Sequence, residues 1–132
     1  MAKKKTSWGK SKIKVPGHSQ LVRSTWEAFF WIIYPDYLYE DHRIEYDLNG
    51  KSHNYIVDFV DHDRKDLVEI KPAYMLSNSL VQHKIKVGET WAAKNGYTFR
   101  VITEHDILLF KKALKRMKLS SRLKKGLDQL RA

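Results

Sequence analysis

Cysteine is absent from the 132-residue chain, and proline and glycine are scarce, with three and six residues. The lack of cysteine excludes disulfides, Cys-ligated zinc, iron–sulfur clusters and thiol nucleophiles, and we expect a protein of a reducing cytoplasm. No apolar run approaches the roughly 18 residues of a membrane-spanning helix, so we expect no membrane partner. Hydrophobic residues make up 42% of the chain and include four Trp, seven Tyr and five Phe, which favours one folded domain with a packed core.

The charge is unevenly distributed along the chain. The net charge is +10, yet residues 24–110 hold nine basic and 14 acidic residues. Residues 1–23 carry seven Lys or Arg and no acid, and residues 111–132 carry nine with Asp128 as the one acid. Basic ends predict a polyanion partner, since neutralised phosphates release counterions. The alternative is that they only aid solubility or touch membranes.

Composition also divides the chain into three regions. We expect a basic flexible arm at 1–20, a core domain at 21–103 and a basic helical extension at 104–132. Candidate contacts to a DNA backbone lie in all three regions, although Lys84 and Lys86 can equally belong to a solvated helix face. The candidates are Lys3, Lys4, Lys5, Lys10, Lys12, Lys14, Arg23, Lys84, Lys86, Lys111, Lys112, Lys115 and Arg116.

Hydrophobic periodicity predicts an α/β fold with a mixed sheet. Helical spacing begins at Val22 and is ended by Pro35. Strands are predicted at 43–48, 53–60 and 66–71, with Asn49-Gly50 as a tight hairpin turn. A second helix is predicted at 79–95, with Ser79 and Gln82 as its capping box, followed by a strand at 97–103 parallel to the third. Helices at 104–117 and 120–130 complete the order.

Two acids in neighbouring strands carry the chemical signal. Folding the second hairpin about residues 63 and 64 places Asp58 opposite Glu69 among apolar neighbours. Like charges directly across a hairpin repel, and a cation would remove that repulsion. Two nearby carboxylates suit Mg²⁺, which takes oxygen ligands and often bridges to phosphate. Lys71, two residues beyond Glu69, can orient a water or stabilise charge that develops on phosphate. The alternative is an ion pair at a solvated strand end.

Glu27 is a third candidate acid, placed in an otherwise apolar helix. Ser24 and Glu27 also match a capping box, in which Glu27 bonds the backbone of Ser24. The two roles do not exclude each other.

These residues resemble the PD-(D/E)xK nuclease superfamily over residues 22–103. The similarity is carried by Arg23-Ser24-x-Trp26-Glu27, Val57-Asp58-Phe59 and Leu67-Val68-Glu69-Ile70-Lys71-Pro72. It extends to the head completion nucleases of T4-like phages, the N-terminal domains of TnsA-type endonucleases and phage T7 endonuclease I. The resemblance implies a restriction-endonuclease-like core in which Glu27, Asp58 and Glu69 bind metal and Lys71 completes the active site. Val57 stands where the superfamily name has proline.

The hypothesis from residues and resemblance together is a Mg²⁺-dependent DNA endonuclease, phage-encoded and acting in DNA processing or head completion in the host cytoplasm. Asp58 and Glu69 would hold Mg²⁺, with Mn²⁺ as a substitute and the Ile70 backbone carbonyl as a further ligand. Glu27 would act through a water or hold a second ion. Double-strand cutting would favour a homodimer. The alternatives are a non-catalytic DNA-binding or virion protein whose C-terminal extension docks a phage partner, a junction-resolving nuclease and an RNA nuclease.

Overall fold

The computed structural model describes residues 12–130, which form two compact units. One unit combines the residues up to Pro35 with those from Glu104 onward, and the other is Asp36–Thr103. Among the helices in the described range, none is long and apolar enough to cross a membrane. Each unit is described by itself below.

The Asp36–Thr103 unit is built on a four-stranded sheet. Its strands are β3 (Leu38–Leu48), β4 (Lys51–Asp61), β5 (Asp66–Ile70) and β6 (Thr98–Ile102), in the order β3-β4-β5-β6. The pairings β3–β4 and β4–β5 are antiparallel, and β5–β6 is parallel. The predicted mixed sheet and the parallel last strand are confirmed. The physical reason is that a chain that passes through a helix before it rejoins the sheet can run parallel to its neighbour.

The first hairpin turns at the predicted Asn-Gly pair. Asn49 and Gly50 have φ values of 55° and 77°, and Leu48 pairs with Lys51 across the turn. Two successive positive φ angles define the tight turn whose twist matches that of the flanking strands. This turn sets the register of β4, the strand that carries Asp58.

Helix α2 (Ser79–Asn95) packs against the sheet and matches its predicted span. Its predicted capping box was wrong: the side chain of Asn78, not Ser79, accepts from the Val81 N–H at 3.1 Å. Gln82 instead donates to the carbonyl of Leu76. Gly96 ends the helix at φ 73°, a left-handed conformation that glycine adopts without steric cost. The core of this unit is formed by Ile44, Tyr55, Val57, Val60, Leu67 and Ala92.

Gly88 lets α2 approach the sheet closely, and we expect Gly88→Ala to lower stability. A Cβ at this position would lie 2.4 Å from Cε1 of Phe99. Overpacking costs about 1–3 kcal/mol, and a 2.4 Å approach favours at least the middle of this range, about 2 kcal/mol, which exceeds the roughly 1 kcal/mol that alanine gains over glycine in a helix. A net loss of about 1 kcal/mol should appear in urea unfolding. The control is Glu89→Ala at the next, exposed position, and equal stability of the two variants would contradict the prediction.

The other unit begins with a two-stranded ribbon. Strand β1 (Ile13–Lys14) pairs antiparallel with β2 (Leu21–Val22), and Ile13 and Val15 are buried. The described part of the predicted arm, residues 12–20, thus contains a strand, because its two apolar side chains have a place to pack. Val22, which we expected in the first helix, lies in β2 instead.

Helix α1 (Thr25–Ile33) begins at Ser24, whose cap stops the helix from extending back to Val22. The predicted helix at 104–117 is divided into α3 (Glu104–Leu109) and α4 (Lys111–Lys115), and α5 (Ser121–Gln129) follows. The C-terminal helices are packed rather than free, since α5 approaches α1 at Gly126, where a Cβ would lie 2.9 Å from Cγ2 of Thr25.

Candidate active site

Glu69 is a buried acid in the middle of the sheet. It lies near the end of β5 and is 5% exposed. The hydroxyl of Tyr55 donates to its Oε1 at 2.6 Å, and Nζ of Lys71 lies 3.7 Å from its Oε2. The carboxylate is therefore held from two sides, by a neutral donor from β4 and by a cation two residues further along the chain.

Asp58 forms hydrogen bonds with the strand that carries Glu69. The β4–β5 ladder pairs Asp61 with Asp66, Val60 with Leu67 and Phe59 with Val68, which is the predicted register. The backbone pairing ends at Phe59. At the neighbouring position, the side-chain oxygen Oδ2 of Asp58 accepts from the Ile70 N–H at 2.8 Å. The Asp58 N–H in turn donates to the Glu69 carboxylate. The two acids thus lie together at the point where the backbone ladder ends.

Burial and nearby donors oppose each other at Glu69. Burial raises the pKa of this carboxyl, because desolvation penalises the charged form. The Tyr55 hydroxyl, the charge of Lys71, the Asp58 N–H and the charge of Lys84 act in the opposite direction, and the net pKa remains raised. Burial likewise raises the pKa of Tyr55, so this residue keeps its proton and remains a donor.

Asp58 and Glu69 are the residues here that could hold a divalent cation. Within residues 12–130 no group of three or more His, Cys, Asp or Glu side chains could hold a metal, so Asp58 and Glu69 provide two carboxylates and no third. Mg²⁺ is commonly bound through one or two carboxylates, with waters and substrate phosphate completing its coordination. A carboxylate offers about four lone-pair sites, so each acid has acceptor capacity beyond its hydrogen bonds here. A ligand role for the Ile70 carbonyl stays a prediction.

Glu27 caps helix α1. Its Oε1 accepts from the N–H of Arg23 at 2.9 Å and of Ser24 at 3.2 Å, while Ser24 Oγ accepts from the Glu27 N–H at 3.1 Å. The capping box is confirmed. Glu27 belongs to the unit that contains α1, and Asp58, Glu69 and Lys71 belong to the unit that contains the sheet. Its role at a metal site stays a prediction.

Tyr55 is the site residue that residue-by-residue reasoning missed. It lies in the segment of sequence similarity, but the sequence pattern alone suggests that a tyrosine in a strand is a core residue. Tyr55 and Val57 are both buried, as two positions on one face of a strand should be. A buried tyrosine hydroxyl needs a partner, and the nearby Glu69 supplies one. That requirement was the available signal.

The predicted DNA contacts have different surroundings. Lys3, Lys4, Lys5 and Lys10 lie outside the described residues. Lys111 donates to the carbonyl of Leu130 at 3.0 Å, and Lys14 donates to that of His18, so both also stabilise their own unit. Lys84 and Arg23 are half-buried. The exposed candidates are Lys12, Lys14, Lys86, Lys112, Lys115 and Arg116.

Comparison with known proteins gives one match. A family model described as TnsA-like endonuclease N terminal matches residues 26–104, more than half of the chain. No curated protein and no solved structure matches. The matched segment contains Glu27, Asp58, Glu69 and Lys71 and supports the nuclease superfamily and its restriction-endonuclease-like fold. The similarity to the T4-like and T7 nucleases stays a prediction.

Proposed function

The chain belongs to the family of TnsA-like endonuclease N-terminal domains, and from this premise we propose that it hydrolyses phosphodiester bonds of DNA with Mg²⁺ as cofactor. Family membership supports a nuclease in general. The observation that supports it is the buried Glu69 carboxylate, which lies 3.7 Å from Nζ of Lys71 and next to Asp58, whose Oδ2 accepts from the Ile70 N–H.

Each residue of this cluster has a distinct task in the proposal. Asp58 and Glu69 supply the carboxylate ligands, and the Tyr55 hydroxyl holds Glu69 in one orientation, as outer hydrogen bonds to metal ligands generally do. Lys71 orients the attacking water or neutralises charge that develops on the phosphoryl oxygens. When bound, Mg²⁺ supplies Lewis-acid activation of the phosphoryl group and of the water. Glu27 is proposed as a third acid that acts through a water.

The direct test is cleavage of supercoiled plasmid at low salt, with Mg²⁺, Mn²⁺ or EDTA. Nicking or linearisation that requires the divalent ion supports the proposal. Cleavage in EDTA would overturn the role of the metal. Salt-sensitive binding without any cleavage would instead indicate a non-catalytic DNA-binding or virion protein, and cleavage confined to branched DNA or RNA would redirect the substrate.

Exposed lysines of α4 are proposed to hold the DNA backbone, and a salt titration tests them. We expect Lys112→Gln combined with Lys115→Gln to lower the slope of log K against log salt by about 2, because each phosphate contact contributes about 1. The matched control is Lys51→Gln with Lys94→Gln, two exposed lysines outside the predicted contacts. Equal slopes for the two double variants in fluorescence anisotropy would argue against an α4 contact.

A further inference from the structure

The segment that follows Lys71 presents a large aromatic ring to solvent. Tyr74 is 78% exposed and lies in a 3₁₀ helix, Ala73–Ser77, in which no residue is buried. Leu80, in the first turn of α2, is 46% exposed. Exposed aromatic side chains are enriched where proteins contact partners, because they supply a large contact area for a small loss of conformational entropy.

The 3₁₀ helix is held in place by hydrogen bonds. The Met75 N–H donates to the carbonyl of Pro72, and the Asn78 N–H donates to that of Met75, both at 3.0 Å. The side chain of Gln82 on α2 donates to the carbonyl of Leu76 at 3.0 Å. The solvent-exposed ring of Tyr74 thus belongs to a segment that is hydrogen-bonded to α2.

The position of Tyr74 links it to the candidate active site. It follows Lys71 by three residues, so their Cα atoms lie no more than about 11 Å apart. Nζ of Lys71 lies 3.7 Å from Oε2 of Glu69, and the charge of Lys84 also lowers the pKa of that carboxyl, so positive charge is available beside the proposed metal site to attract a phosphate. A DNA strand whose scissile phosphate is held at Lys71 would therefore pass close to the segment that carries Tyr74.

We propose that Tyr74 is a stacking contact for an unpaired nucleobase of DNA next to the scissile phosphate. This inference rests on the proposed function and narrows its substrate. A base inside a duplex has both faces covered by its neighbours, so a protein ring can stack only on a base that is unpaired or at a strand end. The preferred substrate is then DNA with a flap, a bulge or a single-stranded end at the cleavage site.

The test compares three variants on matched oligonucleotides. Tyr74→Ala removes the ring, Tyr74→Phe keeps it, and Leu109→Ala removes an exposed apolar side chain from α3, where Leu109 is 80% exposed. Binding is measured by fluorescence anisotropy in EDTA, on a full duplex and on the same duplex with one unpaired base. Cleavage of both substrates is measured with Mg²⁺.

We expect Tyr74→Ala to weaken binding of the unpaired-base substrate about tenfold and to leave duplex binding nearly unchanged, since loss of a stacked base typically costs this much or more. Tyr74→Phe and Leu109→Ala should match the wild type. Equal binding by Tyr74→Ala and wild type would overturn the stacking contact and leave the patch to a protein partner. Absence of Mg²⁺-dependent cleavage with the Tyr74-dependent preference retained would overturn the proposed hydrolysis alone, and absence of any DNA binding would overturn both.

Discussion

Replacing Glu69 by glutamine is expected to abolish metal-dependent cleavage and leave the fold intact. Glutamine has nearly the same shape, and its side-chain oxygen can still accept from the Tyr55 hydroxyl. It lacks the negative charge that a Mg²⁺ ligand provides. Loss of a hydrogen bond to a metal ligand commonly costs 10–100-fold, so loss of the ligand's charge should cost at least about 100-fold in activity.

The stability of Glu69→Gln should change much less than its activity. Burial already raises the pKa of Glu69, which means that its charged form is destabilised in the fold. A neutral glutamine avoids the cost of burying that charge. The same change removes the carboxylate oxygen that lies 3.7 Å from Nζ of Lys71, which opposes this gain. The thermal midpoint of Glu69→Gln should therefore stay close to that of the wild type, a signature that separates loss of chemistry from loss of structure.

The control is Glu89→Gln, the same chemical change at an exposed position of α2. Plasmid cleavage with Mg²⁺ and thermal unfolding by circular dichroism are measured on the two variants and the wild type. Full cleavage by Glu69→Gln would remove this residue from the active site. Loss of cleavage together with a lowered thermal midpoint would assign it a structural role instead.

The pairing of β4 with β5 has local determinants, although the sequence alone did not fix the register between Asp58 and Glu69. The turn between β4 and β5 is short, and a symmetric fold about residues 63 and 64 gives the observed pairing of Asp61 with Asp66. A side-chain period of two then fixes which residues meet across the strands. The Asn49-Gly50 turn is determined in the same way, by a requirement for positive φ that few residues meet.

Features that depend on distant contacts were not readable from the sequence. The break at Phe110 between α3 and α4 interrupts a sequence whose helical pattern is continuous. The approach of Gly126 to Thr25 joins residues a hundred positions apart, and no local pattern indicates it. Asn78, not Ser79, caps α2 because the 3₁₀ helix that follows Pro72 ends immediately before Asn78. The Tyr55–Glu69 hydrogen bond could not be predicted without knowing which face of β4 is buried.

Removing the carboxylate of Asp66 is expected to produce the largest loss of stability among these variants. Asp66 begins β5 and is buried, and its oxygens accept from Arg100 at 2.7 Å, Tyr37 at 2.5 Å and Thr98 at 2.6 Å. In Asp66→Asn one oxygen becomes an amide donor, which cannot accept from these groups. Loss of a charged partner from a buried network costs about 2–4 kcal/mol.

The contribution of Asp66 should depend on pH in a defined direction. Burial by itself raises the pKa of this carboxyl, but hydrogen bonds from Arg100, Thr98 and Tyr37 together outweigh it and hold the pKa below the ordinary value of 3.8. The folded state therefore binds a proton at Asp66 less readily than the unfolded state. The stabilisation is complete above the ordinary pKa and is lost as the pH falls through the lowered folded-state value.

Urea unfolding of wild type and Asp66→Asn at about pH 7 and about pH 3 separates this group from the other acids, because all the others titrate in both proteins. The difference between the two proteins should be largest at neutral pH and should shrink in acid. Arg100→Gln and the double variant complete a cycle that isolates the ion pair from the Tyr37 and Thr98 bonds. A difference that stays constant between the two pH values would show that the effect of Asp66→Asn comes from altered packing, since only loss of the charge can make it depend on protonation.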